Sequence, residues 1–97
     1  MEMLKKITKE SKEEIDEYFR VNQHKGHVIL ETENSATSET LFSVFIPKLK
    51  KSMQNQVLKD LSSILTKKCR EHSDNNLTKF YENRSRLNLI LRVGVSK

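Results

Sequence analysis

The sequence lacks several features on which common protein classes depend. Tryptophan is absent, proline occurs once, cysteine once and glycine twice. Because Cys69 stands alone, no intrachain disulfide can form, which is usual for a reducing compartment. No run approaches the ~18 apolar residues of a membrane span, so no membrane partner is predicted. We therefore expect a soluble, cytoplasmic protein.

Apolar side chains are also scarce. They make up 35% of the 97 residues, against about 45–50% in typical domains. The length suits a single domain, residues 1–97, with one modest core. A second copy of the chain would add buried surface, so a homodimer is one expected assembly.

Signs of catalysis and of metal binding are weak. Gly26 and Gly94 are the only glycines, so no glycine-rich phosphate loop exists. Cys69 and His72 are three residues apart, but a closed zinc site needs about four ligands. No pattern suggests a nucleophile with its base. We predict a protein that is not an enzyme and has no cofactor and no metal site.

Charge is divided unevenly along the chain. Residues 1–33 have a net charge of −2, whereas residues 34–97 have a net charge of +7. A positive field over two thirds of a domain favours a polyanion or an acidic protein surface as partner.

The first half of the sequence predicts a helix followed by a hairpin. The capping-box pattern of residues 11–14 starts the helix at Ser11, and residues 1–10 either extend it or form a frayed arm. Residues 27–33 and 40–46 are predicted to pair as antiparallel strands. The alternative is that residues 38–46 begin a helix.

The second half predicts a long helix and another hairpin. Pro47 suits the first turn of a helix, and apolar residues at three- and four-residue steps continue it to about Arg70. Residues 77–82 and 87–95 are predicted as strands. The expected fold is α+β in the order α-β-β-α-β-β, with a four-stranded, mainly antiparallel sheet packed against the long amphipathic helix.

The polar side of the long helix carries cations, hydroxyls and an amide but no carboxylate. Lys and Arg with Ser, Thr and Asn suit phosphate groups, so the leading prediction is a regulatory protein that binds DNA or RNA. Phe80 and Tyr81 could stack on unpaired bases, although strand alternation would turn them to opposite faces. The predicted nucleic-acid-binding residues are Lys48, Lys51, Asn55, Lys59, Arg70, Arg84, Arg86 and Arg92.

The alternative prediction is a small protein-binding regulator or inhibitor, of the accessory type found in phages and plasmids. Residues 41–46 are apolar on both sides of the strand. Either helices cover both faces of this strand, or one face contacts a partner protein. The predicted protein-interface residues are Leu41, Phe45, Ile29 and Ile90.

Overall fold

The described residues fold into three helices and a three-stranded sheet. The computed structural model describes residues 2–34, 36–37 and 39–94, without the side chains of residues 2–4, 30, 31 and 33. In chain order the elements are α1 (Glu2–Val21), β1 (His27–Asn34), β2 (Glu39–Ile46), α2 (Lys51–Glu71), α3 (Leu77–Ser85) and β3 (Leu87–Val93).

The sheet has the order β1-β2-β3 and is mixed. Strands β1 and β2 form the predicted antiparallel hairpin, and Glu39–Ile46 is a strand, not the start of a helix. Strand β3 runs parallel to β2. The predicted four-stranded sheet in the order α-β-β-α-β-β is therefore wrong. The reason is topological: residues 47–86 form a two-helix crossover, which returns the chain to the end of the sheet where β2 began.

The error lies in residues 77–82, which belong to α3 and not to a strand. The Asn76 side chain accepts a hydrogen bond from the Lys79 backbone N–H at 3.1 Å, which caps the helix. Before it, Asp74 and Asn75 have φ values of +47° and +64°, a conformation that Asp and Asn tolerate better than most residues. A local cap thus outweighs the strand preference of the aromatic pair that follows.

Of the two alternatives for residues 1–10, extension of the first helix is confirmed for residues 2–10, whereas the predicted start of the long helix at Pro47 is wrong. Helix α1 already includes residues 2–10, because Ile7, Ile15 and Phe19 continue one buried stripe. Ser11 lies on this stripe in mid-helix, so it is not an N-cap. Pro47 lies in a turn four residues before α2, since Lys48 adopts a φ of +59° that interrupts the helical path.

The core lies between the helices and one face of the sheet. Alternate residues of β2 and β3 point into it, among them Phe42, Val44 and Leu87. In the described part of the chain, the core joins only this face of the sheet to the helices. We call the second face of the sheet the open face because Ile90 and Arg92 of β3 are exposed on it, although Leu41 and Phe45 of β2 are half-buried there and Ser43 is buried. The register aligns Leu41 with Asn88, Ser43 with Ile90, and Phe45 with Arg92 on that face.

Candidate nucleic-acid interface

Helix α2 has two polar sides, separated by its buried stripe. The stripe consists of Val57, Leu61, Leu65 and Cys69, which pack into the core. One polar side meets α1, and the other faces solvent beside α3. The two sides differ in how their cations are partnered.

The side toward α1 is a closed network of opposite charges. Lys68 Nζ lies 3.2 Å from a carboxylate oxygen of Glu71, 3.5 Å from one of Glu14 and 3.7 Å from one of Glu10. His72 Nε2 lies 3.0 Å from Glu10 Oε1. This network ties the C-terminal end of α2 to the middle of α1.

Electrostatics in the network favours the charged forms of Lys68 and Glu10. Burial lowers the pKa of Lys68, but the hydrogen bond to Glu71 and the charges of Glu14 and Glu10 outweigh it, so the net direction is upward. The hydrogen bond with His72 holds the pKa of Glu10 below its usual 4.5. Lys68 is therefore a structural cation, neutralised by the protein's own acids.

The solvent side of α2 carries cations without such partners. A shallow depression of about 350 Å³ runs along it, and we call its lining the cationic strip. Among the residues that the structure describes, no carboxylate lies within ion-pair distance of the three cations of the strip. The cationic strip consists of Lys59, Ser62, Ser63, Thr66, Lys67 and Arg70.

A second depression of about 410 Å³ adjoins the strip at its C-terminal end, and we call it the aromatic depression. Arg70 lines both, and its Cζ lies 5.2 Å from the centroid of the Phe80 ring. Tyr81 is 65% exposed, and its ring centroid lies 5.2 Å from that of Phe80. The aromatic depression is lined by Arg70, Ser73, Asn75, Asn76, Leu77, Phe80 and Tyr81.

Two of the predicted arginines have hydrogen-bond or ion-pair partners within the protein. Arg84 Nε donates to Thr66 Oγ1 at 3.1 Å, and its Nη1 donates to the Leu87 carbonyl at 3.0 Å. These bonds join α3 to α2 and to the start of β3. Arg86 is the C-cap residue of α3, and its Nη2 lies 3.9 Å from Glu82 Oε2. Arg84 therefore helps to position the cationic strip, because it fixes the oxygen of Thr66.

The other predicted binding residues lie outside the depression, at different distances. Arg92 lies on the open face of the sheet, where its Nε donates to Ser43 Oγ at 3.2 Å. Lys48, Lys51 and Asn55 are exposed near the N-terminal end of α2. At 1.5 Å per residue, Asn55 lies about 6 Å and Lys51 about 12 Å along the helix from Lys59, on the same side of α2. Of the eight predicted residues, Lys59 and Arg70 line the depression of the cationic strip.

Several exposed side chains of this surface were not among the predicted binding residues, and Lys67 and Tyr81 are two of them. Lys67 lines the cationic strip, and Tyr81 lines the aromatic depression. The available signal was Asn76, a good N-cap residue at the start of the aromatic segment. A helix there places Phe80 and Tyr81 about 100° apart, so both can line one depression, which a strand would prevent.

The remaining chemistry of the described chain is limited. Burial raises the pKa of the Cys69 thiol to about 11, despite the nearby charge of Arg84, so this thiol is a poor nucleophile. Within residues 2–34, 36–37 and 39–94, no group of three or more His, Cys, Asp or Glu side chains is placed to hold a metal ion. The described helices include none with the length and apolar character needed to cross a membrane.

Comparisons with known proteins give no family: no family model, no curated protein and no solved structure matches this chain.

Proposed function

We propose that the protein is a non-catalytic regulatory module that binds nucleic acid through the cationic strip of α2. One observation carries the proposal: Lys59, Lys67 and Arg70 share a depression in which no carboxylate takes part. Elsewhere on the same helix, Lys68 is surrounded by three acids. A surface left cationic in this way suits a partner that supplies the negative charge.

The neutral residues of the strip suit phosphate as well as the cations do. Ser62 and Ser63 place hydroxyl groups between the charges, and hydroxyls are common donors to phosphate oxygens. The oxygen of Thr66 accepts from Arg84, so its proton can point outward. Three cations that each neutralise one phosphate predict a slope of log affinity against log salt of about −2 for a single strand.

The test is fluorescence anisotropy with labelled single- and double-stranded DNA and RNA at two ionic strengths. In the double variant Lys59→Glu, Lys67→Glu, both cations become anions at the proposed phosphate contacts. Each lost charge-assisted contact contributes about 1.5–3 kcal/mol, so we expect affinity to fall at least about 100-fold.

The matched control is the double variant Lys25→Glu, Lys48→Glu. It changes the net charge equally, at two exposed residues of a different depression. We expect it to weaken binding only slightly, through the overall field. Equal losses of affinity in both variants would show that the net charge attracts the oligonucleotide without a defined site. Failure of the native protein to bind any oligonucleotide at low salt would refute the proposal.

A second candidate function, docking to a protein, is favoured by the open face of the sheet. Ile90 is 41% exposed, and on the same face Leu41 and Phe45 are half-buried beside the buried Ser43. Ile29 lies at a β-bulge in β1 and is also exposed. A face of this kind suits either a second copy of the chain or an apolar surface of another protein.

Sedimentation of the native protein and of Ile90→Asp distinguishes self-association from the first function. A dimer formed through the sheet becomes a monomer in the variant, while oligonucleotide affinity per chain is retained. A native protein that is monomeric at high concentration would exclude the homodimer.

A further inference from the structure

We infer that the nucleic acid bound by the cationic strip is single-stranded, and that one of its bases stacks on Tyr81 in the aromatic depression. This inference rests on the proposed function, which supplies the phosphate contacts. The inference adds that the bound nucleic acid is single-stranded and that one of its bases has a defined position on the protein.

The two depressions form one continuous surface through Arg70. Arg70 lines both depressions and its guanidinium lies over the Phe80 ring, so this residue stands where charged and aromatic surface meet. A strand whose backbone follows Lys59 and Lys67 reaches Arg70 next. Beyond that residue the lining changes to Leu77, Phe80 and Tyr81.

This aromatic surface matches an unpaired base better than a phosphate or a duplex. Leu77 and Tyr81 are 69% and 65% exposed and line the same depression. In a duplex the faces of the bases are covered by their neighbours, and only their edges reach the grooves. An unpaired base offers its π-face to an aromatic ring, and a cationic channel beside such rings is typical of single-strand binding.

The choice of this occupant depends on charge complementarity across both depressions. Neither lining contains an Asp or Glu side chain. An acidic protein segment would satisfy the cations but would not use Tyr81 as a stacking platform. Loss of binding on removal of the ring, specific to ligands that carry bases, therefore distinguishes the two partners.

The experiment compares native protein, Tyr81→Ala and Tyr81→Phe on three ligands of equal length: a single strand, its duplex and an abasic strand. Stacking of one base contributes a factor of roughly 5 to 150 in affinity. We expect Tyr81→Ala to lose that factor on the single strand and to lose nothing on the abasic strand. Tyr81→Phe keeps the ring and should bind as the native protein does.

Stacking can also be observed directly, because the chain contains two tyrosines and no tryptophan. In the Tyr18→Phe variant, Tyr81 is the sole tyrosine, and its fluorescence should be quenched by a base-bearing strand but not by an abasic one. Tyr18 belongs to another region, where its hydroxyl donates to Asp60 at 2.8 Å.

The outcomes separate this inference from the proposed function. Equal affinity for duplex and single strand, with Tyr81→Ala unchanged and tyrosine emission unquenched, would overturn the stacked base. Sensitivity to Lys59→Glu, Lys67→Glu would still support the phosphate contacts. Failure of every oligonucleotide to bind at low salt would overturn both.

Discussion

Lys67 and Lys68 are adjacent in the sequence but have opposite surroundings. The Lys68 side chain is 13% exposed, between three carboxylates contributed by α1 and α2. Lys67 is exposed in the cationic strip, beside hydroxyls and Arg70. One residue of helix rotation, about 100°, separates a lysine that holds two helices together from a lysine that faces solvent.

The difference shows why counting charges along a helix is a poor guide to its function. Of the lysines in the last turns of α2, Lys68 faces α1 and is neutralised by Glu71 of its own helix together with Glu14 and Glu10 of α1. On the opposite side, no described carboxylate lies within ion-pair distance of the cations of the strip. A cationic surface arises where the fold keeps the chain's own acids away.

The largest expected change in stability comes from a substitution in the buried stripe of α2, which separates the two polar sides of this helix. Leu61 is fully buried, so Leu61→Ala should lower the free energy of unfolding by about 2–5 kcal/mol. The cationic strip does not include Leu61, so the fraction that remains folded should bind oligonucleotide with native affinity. Urea unfolding and anisotropy at low temperature measure the two quantities separately. A parallel loss of affinity in folded protein would show that the strip depends on exact core packing.

A matched pair of variants tests the comparison itself. Lys68→Met removes the charge from the closed network and should cost about 1–2 kcal/mol of stability, between the values for exposed and buried pairs. Lys67→Met should stay within about 0.5 kcal/mol of native stability. For binding the order reverses, because Lys67→Met should make the salt slope shallower by about 0.7 and Lys68→Met should leave it unchanged. The same ranking of the two variants in both assays would refute the distinction.

The smallest effect concerns acid stability. Because the pKa of Glu10 is lower in the folded protein than its usual 4.5, its contribution is complete above that value. The contribution is lost as the pH falls through the folded pKa. Glu10→Gln should therefore lower the urea midpoint at neutral pH and reduce the further loss between neutral and strongly acidic pH. An unchanged pH profile would show that the contact with His72 does not contribute to stability.

The sequence predicted the elements whose signals extend over many residues. The periodic stripe of α2, the alternation of β3 and the hairpin formed by β1 and β2 are confirmed. Within β3, Leu87, Leu89 and Leu91 face the core side, as alternation predicts. These patterns were readable because the period of a buried face is fixed by backbone geometry.

Short segments could not be assigned in the same way. Residues 77–82 have a composition typical of a strand. They form a helix because Asn76 caps its N-terminus, after two residues with positive φ. The wrong assignment of residues 77–82 also made the predicted sheet wrong. With a helix there, α2 and α3 form a crossover connection, and β3 runs parallel to β2. The wrong assignment also hid the candidate site, since Phe80 and Tyr81 line one depression only on a helix.

The sequence alone determined the periodic pattern of apolar residues, the excess of positive charge in residues 34–97 and the residue types on the solvent side of α2. Which cations are neutralised was decided by tertiary structure, because ion pairing depends on which helix packs against which side. The packing of α1 adds Glu14 and Glu10 to the local Glu71 contact of Lys68, and the placement of α3 brings Tyr81 beside Arg70. Charges separated by many residues cannot be paired from their order in the chain, since their distance is set by the folded backbone.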